Sequence, residues 1–111
     1  MIKIENPCGG DDTRAWGPPF AENKDPSDTS TRESAYFLGV NRNKKSITVN
    51  LRSEQGRQLV HELVKKVDVL VENYVPGKLD EMGLGYKELA ALNPKLIYTS
   101  ITGAWREKER F

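Results

Sequence analysis

Between residues 46 and 71 the hydrophobic period of this chain changes twice, and few folds accommodate both changes. Residues 46–51 alternate, with Ile47, Val49 and Leu51 on one face and Thr48 and Asn50 on the other, the period-2 mark of a strand. From Ser53 onward Leu59, Val60, Leu63, Val64 and Val67 recur at helical spacing and form one apolar stripe. Ser53 is suited to cap that helix, and Glu54 to the positive end of its dipole, with Lys65 and Lys66 at the other end. Val69, Leu70 and Val71 then form a nearly continuous apolar run, as expected of a strand covered on both faces. Strand, helix and strand over roughly thirty residues predict a βαβ unit with a right-handed crossover, and hence a parallel sheet.

The remaining segments extend that sheet. Ile2-Lys3-Ile4-Glu5 alternates like a strand, and turn formers from Asn6 to Asp12 stop it. A parallel strand usually follows a helix, so this one reads as a strand cut from its predecessor. Residues 11–34 show no periodicity and carry Pro18-Pro19 and Pro26, which predicts a long loop. Trp16 and Phe20 are expected to anchor its first part by aromatic burial. After Pro76-Gly77, a single helical turn is predicted over 78–82 and a helix over 86–92, ended by Asn93-Pro94. Residues 96–101 read as a further strand. The organisation is an incomplete, doubly wound α/β sheet with a long irregular N-terminal loop.

Composition narrows the function. At 111 residues the chain is one domain at most. A net charge of +1 argues against a general nucleic-acid or membrane-surface binder. One cysteine, Cys8, and one histidine, His61, leave no disulfide and no structural zinc site. No apolar run approaches the roughly 20 residues that span a bilayer, and Met1-Ile2-Lys3-Ile4-Glu5 is neither a signal nor a transit peptide.

In doubly wound sheets ligands gather at the carboxyl ends of the strands. Residues 9–14, 72–74 and 100–103 are placed there. Neither a Walker phosphate loop nor a Gly-x-Gly-x-x-Gly turn occurs, so nucleoside triphosphate and dinucleotide binding of the usual kinds are unsupported. His61 falls on the polar side of its helix and reads as solvated.

Five collinear motifs carry a resemblance. They are Ile2-Lys3-Ile4-Glu5-Asn6-Pro7 with Gly10-Asp11-Asp12-Thr13-Arg14-Ala15-Trp16-Gly17-Pro18-Pro19-Phe20; Asn41-Arg42-Asn43-Lys44-Lys45-Ser46-Ile47; Val71-Glu72-Asn73-Tyr74-Val75-Pro76-Gly77-Lys78-Leu79; Met82-Gly83-Leu84-Gly85-Tyr86; and Asn93-Pro94-Lys95-Leu96-Ile97-Tyr98. Over residues 2–103 the chain resembles the class III (formyl-CoA-transferase-like) CoA-transferases. Its wording is most similar to the mitochondrial branch that moves CoA between succinyl-CoA and a dicarboxylate such as glutarate or hydroxymethylglutarate.

The resemblance implies a Rossmann-like parallel sheet, of which residues 1–103 would be the CoA-binding part of the large domain and 104–111 a divergent tail. It implies an interlocked homodimer as the parent enzyme and CoA thioesters as substrates, with no covalently bound cofactor, no metal, no nucleic acid and no membrane. A catalytic aspartate, which takes the acyl group as a mixed anhydride, is implied beyond the last matching motif, so no catalytic residue is assigned here. The chain is expected to be inactive alone. The alternative is a CoA-binding or dimer-interaction module without catalysis, and the compartment implied is mitochondrial, otherwise cytoplasmic.

Four residues carry over to the CoA site. Arg14 matches a CoA-contacting arginine, whose guanidinium suits bidentate contact with phosphate oxygens. Val49 matches an apolar position near the adenine, and Asn73 and Tyr74 match an Asn-aromatic pair lining the carrier. Glu81 stands where the family has a further arginine, so that phosphate contact is not expected. Asn73 also suits an Asx turn at the strand end, Tyr74 also suits the core, and Arg42, Lys44 and Lys45 suit either a solvated turn or a phosphate contact. Glu72 lacks a positioned second carboxylate or base to serve as substitute nucleophile.

Overall fold

The computed structural model describes residues 1–29 and 32–103; the expected tail at 104–111 lies outside the described residues. The chain forms two compact units, Met1–Val49 and Asn50–Phe111.

In the first unit, β1 (Ile2–Glu5) pairs in parallel with β2 (Lys45–Thr48), Ile2 opposite Lys45 and Glu5 opposite Thr48. Alternation puts Ile2, Ile4 and Ile47 on one face and Lys3, Glu5 and Ser46 on the other. The connection is less irregular than its sequence predicts. It holds a 3-10 turn (Asp12–Ala15), where the Asp11 carboxylate caps the Thr13 N–H, and a helix, α1 (Ala35–Val40). Ser34 caps α1 by accepting from the N–H groups of Tyr36 and Phe37.

Aromatic burial does not anchor this loop. Trp16 is 57% exposed and Phe20 41%. The fully buried Ser34 does the anchoring instead. Its hydroxyl donates to the Trp16 carbonyl, and its N–H donates to the Arg14 carbonyl at 3.1 Å. Two flanking backbone bonds, Ala21 N–H to Glu33 O (2.8 Å) and Ala35 N–H to Pro19 O (3.0 Å), complete the tie. A loop with few large apolar residues is held by satisfied backbone groups rather than by a core.

In the second unit, α2 (Glu54–Val64) begins where expected, with Ser53 Oγ accepting from the Gly56 N–H at 3.1 Å. β3 (Val69–Glu72) pairs in parallel with β4 (Ile97–Ser100), Val69 opposite Ile97 and Glu72 opposite Ser100. A 3-10 turn (Asp80–Met82) and α3 (Tyr86–Leu92) connect them. Each parallel pair is joined through a helix, β1–α1–β2 in the first unit and β3–α3–β4 in the second, whereas the sequence predicts the βαβ unit over the segment 46–71. β2 bonds to β1 and β3 to β4. Alternation specifies which face of a strand is buried, whereas the choice of partner depends on backbone edges distant in sequence. The chain is mixed α/β with short parallel strands, as expected.

The core of this unit contains Val60, Val64, Leu79, Leu84, Leu89 and Leu96, each burial contributing roughly 1.5–3 kcal/mol. The buried line on α2 is Gly56, Val60 and Val64, while Leu59 faces out. Gly56 is there because a Cβ would lie 2.0 Å from the Asn50 carbonyl oxygen. His61 is not simply solvated: its Nε2–H donates to the Gly83 carbonyl at 2.8 Å. β3 is covered on one face only, since Val69 and Val71 are 49% and 58% exposed while Glu72 is buried. No helix among the described residues is long and apolar enough to cross a membrane.

Candidate functional site

Arg14 sits on the 3-10 turn after β1, where the Asp11 cap fixes its backbone. Its guanidinium is paired on two sides, with Nη1 2.9 Å from Glu33 Oε1 and Nη2 3.5 Å from Glu5 Oε2. The guanidinium carbon lies 4.0 Å from the centroid of the Phe37 ring, and Lys3 Nζ is 4.6 Å from the same centroid. Two cations on one aromatic ring are individually favourable and mutually repulsive. The neighbouring carboxylates offset that repulsion.

These carboxylates are strongly held. Glu5 is buried, which works against its charge, but hydrogen bonds from Ser46 (2.9 Å) and Lys3, with the charges of Lys3 and Arg14, keep its pKa below the ordinary value. Partial burial likewise opposes the charge of Asp11. Hydrogen bonds from Lys3 and from the hydroxyl and N–H of Thr13 outweigh it and lower its pKa to about 2. The polar face of β1 is thus a set of fixed charges, in which cations and anions alternate.

Val49 follows β2, and its N–H donates to the Glu5 carbonyl at 3.0 Å, extending the ladder. Its side chain is buried. Asn73 and Tyr74 follow β3, and both are exposed. Tyr74 is therefore not a core residue. The turn is capped by Glu72, whose Oε2 accepts from the Tyr74 N–H at 2.7 Å. Among the described residues the Asn73 side chain makes no hydrogen bond, so it is not the Asx cap. Glu72 is committed to its own backbone, and Glu81 pairs with Lys78 at 2.9 Å.

Arg14 and Val49 thus belong to one unit, and Asn73 and Tyr74 to the other. The first unit also has a shallow surface hollow lined by Ala15, Trp16, Gly17, Pro18 and Tyr36, with Trp16 and Tyr36 in ring contact at 5.4 Å. Sequence reasoning missed Lys3, Glu5, Glu33 and Phe37 as neighbours of Arg14. The alternation of Ile2-Lys3-Ile4-Glu5 did carry a signal for two of them, since it puts Lys3 and Glu5 on one face. Nothing local marks Glu33 or Phe37.

With this geometry in place, comparison with known proteins is decisive. A model of CoA-transferase family III matches residues 1–105. The chain belongs to CoA-transferase family III. Among curated members, the succinyl-CoA:glutarate CoA-transferase of Mus musculus is 55% identical over 103 residues, covering 93% of this chain and 22% of that protein. The succinate–glutarate CoA-transferase of Agrobacterium fabrum is 52% identical, covering 93% of this chain and 25% of that protein. The family III chain therefore spans about a quarter of the length of these relatives. Among solved structures it is similar to a CAIB/BAIF family protein from Brucella suis, 52% identical with a TM-score of 0.78, over 92% of this chain and 25% of that one. A Mycobacterium tuberculosis protein is 37% identical with a TM-score of 0.74, over 91% and 26%.

Proposed function

We propose that this chain is the coenzyme A-binding part of a class III CoA-transferase that moves CoA between succinyl-CoA and a dicarboxylate such as glutarate or hydroxymethylglutarate. The observation that carries the reading is the 52–55% identity to succinyl-CoA:glutarate and succinate–glutarate CoA-transferases over 103 residues. In this reading Arg14 holds a phosphate of the carrier. Val49 takes the apolar position near the adenine, and Asn73 and Tyr74 are the Asn-aromatic pair that follows β3. The exposure of Asn73, whose amide has no partner among the described residues, supports a ligand role for it.

The parent would be an interlocked homodimer of the mitochondrion, with residues 1–103 in its large domain and 104–111 a divergent tail. This reading gives the 111-residue chain carrier binding without turnover, and no acyl-accepting aspartate is assigned to it. Calorimetry with CoA tests this. Binding is expected, weakened about tenfold by Arg14→Ala as for loss of a charged hydrogen bond, with no turnover of succinyl-CoA and glutarate. No heat with CoA, or an unchanged affinity in the variant, overturns it.

A second reading, an interaction module without catalysis, is favoured by one observation. Val69, Val71 and Ile97 lie on one exposed face of the β3–β4 pair, with Ile101 exposed just beyond. An apolar strand face of this kind is normally covered by protein.

A further inference from the structure

A second cavity, of about 330 Å³, lies wholly within the first unit, over the polar face of the β1–β2 pair. Its volume is at the small end of ligand pockets. Four cations line it: Lys3, Arg14, Arg42 and Lys44. Two of these are already balanced, Lys3 by Asp11 and Glu5 and Arg14 by Glu33 and Glu5. Arg42 and Lys44 have no carboxylate partner among the described residues.

Asn41 adds a second requirement. Its Nδ2 donates to the Phe37 carbonyl at 2.8 Å, which closes the end of α1. That bond orients Oδ1, which is buried and has no donor among the described residues. A buried acceptor without a partner costs about 1–3 kcal/mol, and a ligand hydroxyl would satisfy it. Phe37 and Leu38 supply an apolar wall.

We propose that this cavity is a binding site for a small hydroxylated organic polyanion. Its acid groups pair with Arg42 and Lys44, its hydroxyl donates to Asn41 Oδ1, and its carbon skeleton rests on Phe37 and Leu38. The site goes beyond the CoA reading. Arg42 and Lys44 precede β2, whereas Val49 follows its carboxyl end and Asn73 follows that of β3. Only Arg14 is common to the two, and its charge is already balanced.

Lys45 supplies an internal control. It belongs to the same basic run, but opposite Ile2 in the register it lies on the other face of the sheet. Citrate and tricarballylate are suitable probes, since they carry the same three acid groups and differ in the hydroxyl. Calorimetric titration of the 111-residue chain is expected to show citrate binding. Arg42→Ala and Lys44→Ala should each weaken it about tenfold, and Lys45→Ala less than about twofold. Tricarballylate should bind about fivefold more weakly than citrate, the share of one neutral hydrogen bond.

Citrate should still bind at saturating CoA, weakened by no more than about threefold through a phosphate at the shared Arg14, and this arm holds whether or not CoA itself binds. Citrate-induced shifts in melting temperature, each referred to the variant's own baseline, should reproduce the order. Absence of citrate binding, equal weakening by Lys45→Ala, or equal affinity for the two acids overturns the proposal. Displacement of citrate by CoA overturns its separateness from the CoA site.

Discussion

Arg14 Nη1 donates to Glu33 Oε1 at 2.9 Å, so the arginine proposed to hold a phosphate already holds a carboxylate. A ligand phosphate must compete with that carboxylate, and the contest decides how tightly CoA binds. Both side chains are about two-fifths exposed, and an ion pair so placed is worth no more than about 1 kcal/mol. Glu33→Gln should therefore tighten CoA binding, by up to about fivefold. Calorimetry reads this directly, and a weakened affinity would mean that Glu33 positions Arg14 rather than competing for it.

The elements of this fold were largely legible in the sequence, whereas their partners were not. Ser53 as a cap, the helix over 86–92 and the strand over 2–5 stand where their local patterns put them, because caps and periods are encoded within a few residues. The pairing of β1 with β2 and of β3 with β4 spans tens of residues, and no period records it. Helix α1 escaped because six residues, one of them Gly39, are too few to display a period. At the site, residue types were legible and surroundings were not. Arg14 could be chosen by motif, but Glu33 lies nineteen residues away across an irregular loop.

The acid limb of stability should report Asp11. Its folded pKa, about 2, lies below the ordinary 3.8. Its contribution is therefore fully present above about pH 4 and is lost as the pH falls toward 2, with Glu5 adding in the same direction. Asp11→Asn keeps the cap acceptor but loses the ion pair with Lys3, so it should lower stability near pH 6 by about 1 kcal/mol and flatten the decline below pH 4. Thermal melts between pH 2 and 6 test this. A variant with an unaltered acid limb would exclude Asp11 as its source.

Two glycine-to-alanine changes in helices should have opposite signs. At Gly56 the added Cβ meets the Asn50 carbonyl oxygen at 2.0 Å, while at Gly39 it meets nothing within 4 Å. Gly56→Ala should destabilise by about 1–3 kcal/mol through overpacking. Gly39→Ala should stabilise by up to about 1 kcal/mol through helix propensity. Urea denaturation of both variants separates close packing from propensity.

The apolar positions on the helices of the second unit should divide in the same way. Leu89 is fully buried and Leu59 faces out, although both fit the apolar pattern of the sequence. Leu89→Ala should cost about 2–5 kcal/mol, and Leu59→Ala should stay within about 0.5 kcal/mol. Equal losses in denaturant titrations would place Leu59 in an interface.

The central claim is that this chain binds CoA with Arg14 at a phosphate of the carrier. The most direct measurement is an amide chemical-shift titration of the isotopically labelled 111-residue chain with CoA. The amide of Arg14 is expected to shift and to saturate with the same Kd that calorimetry gives. No saturable shift at Arg14 would contradict the claim.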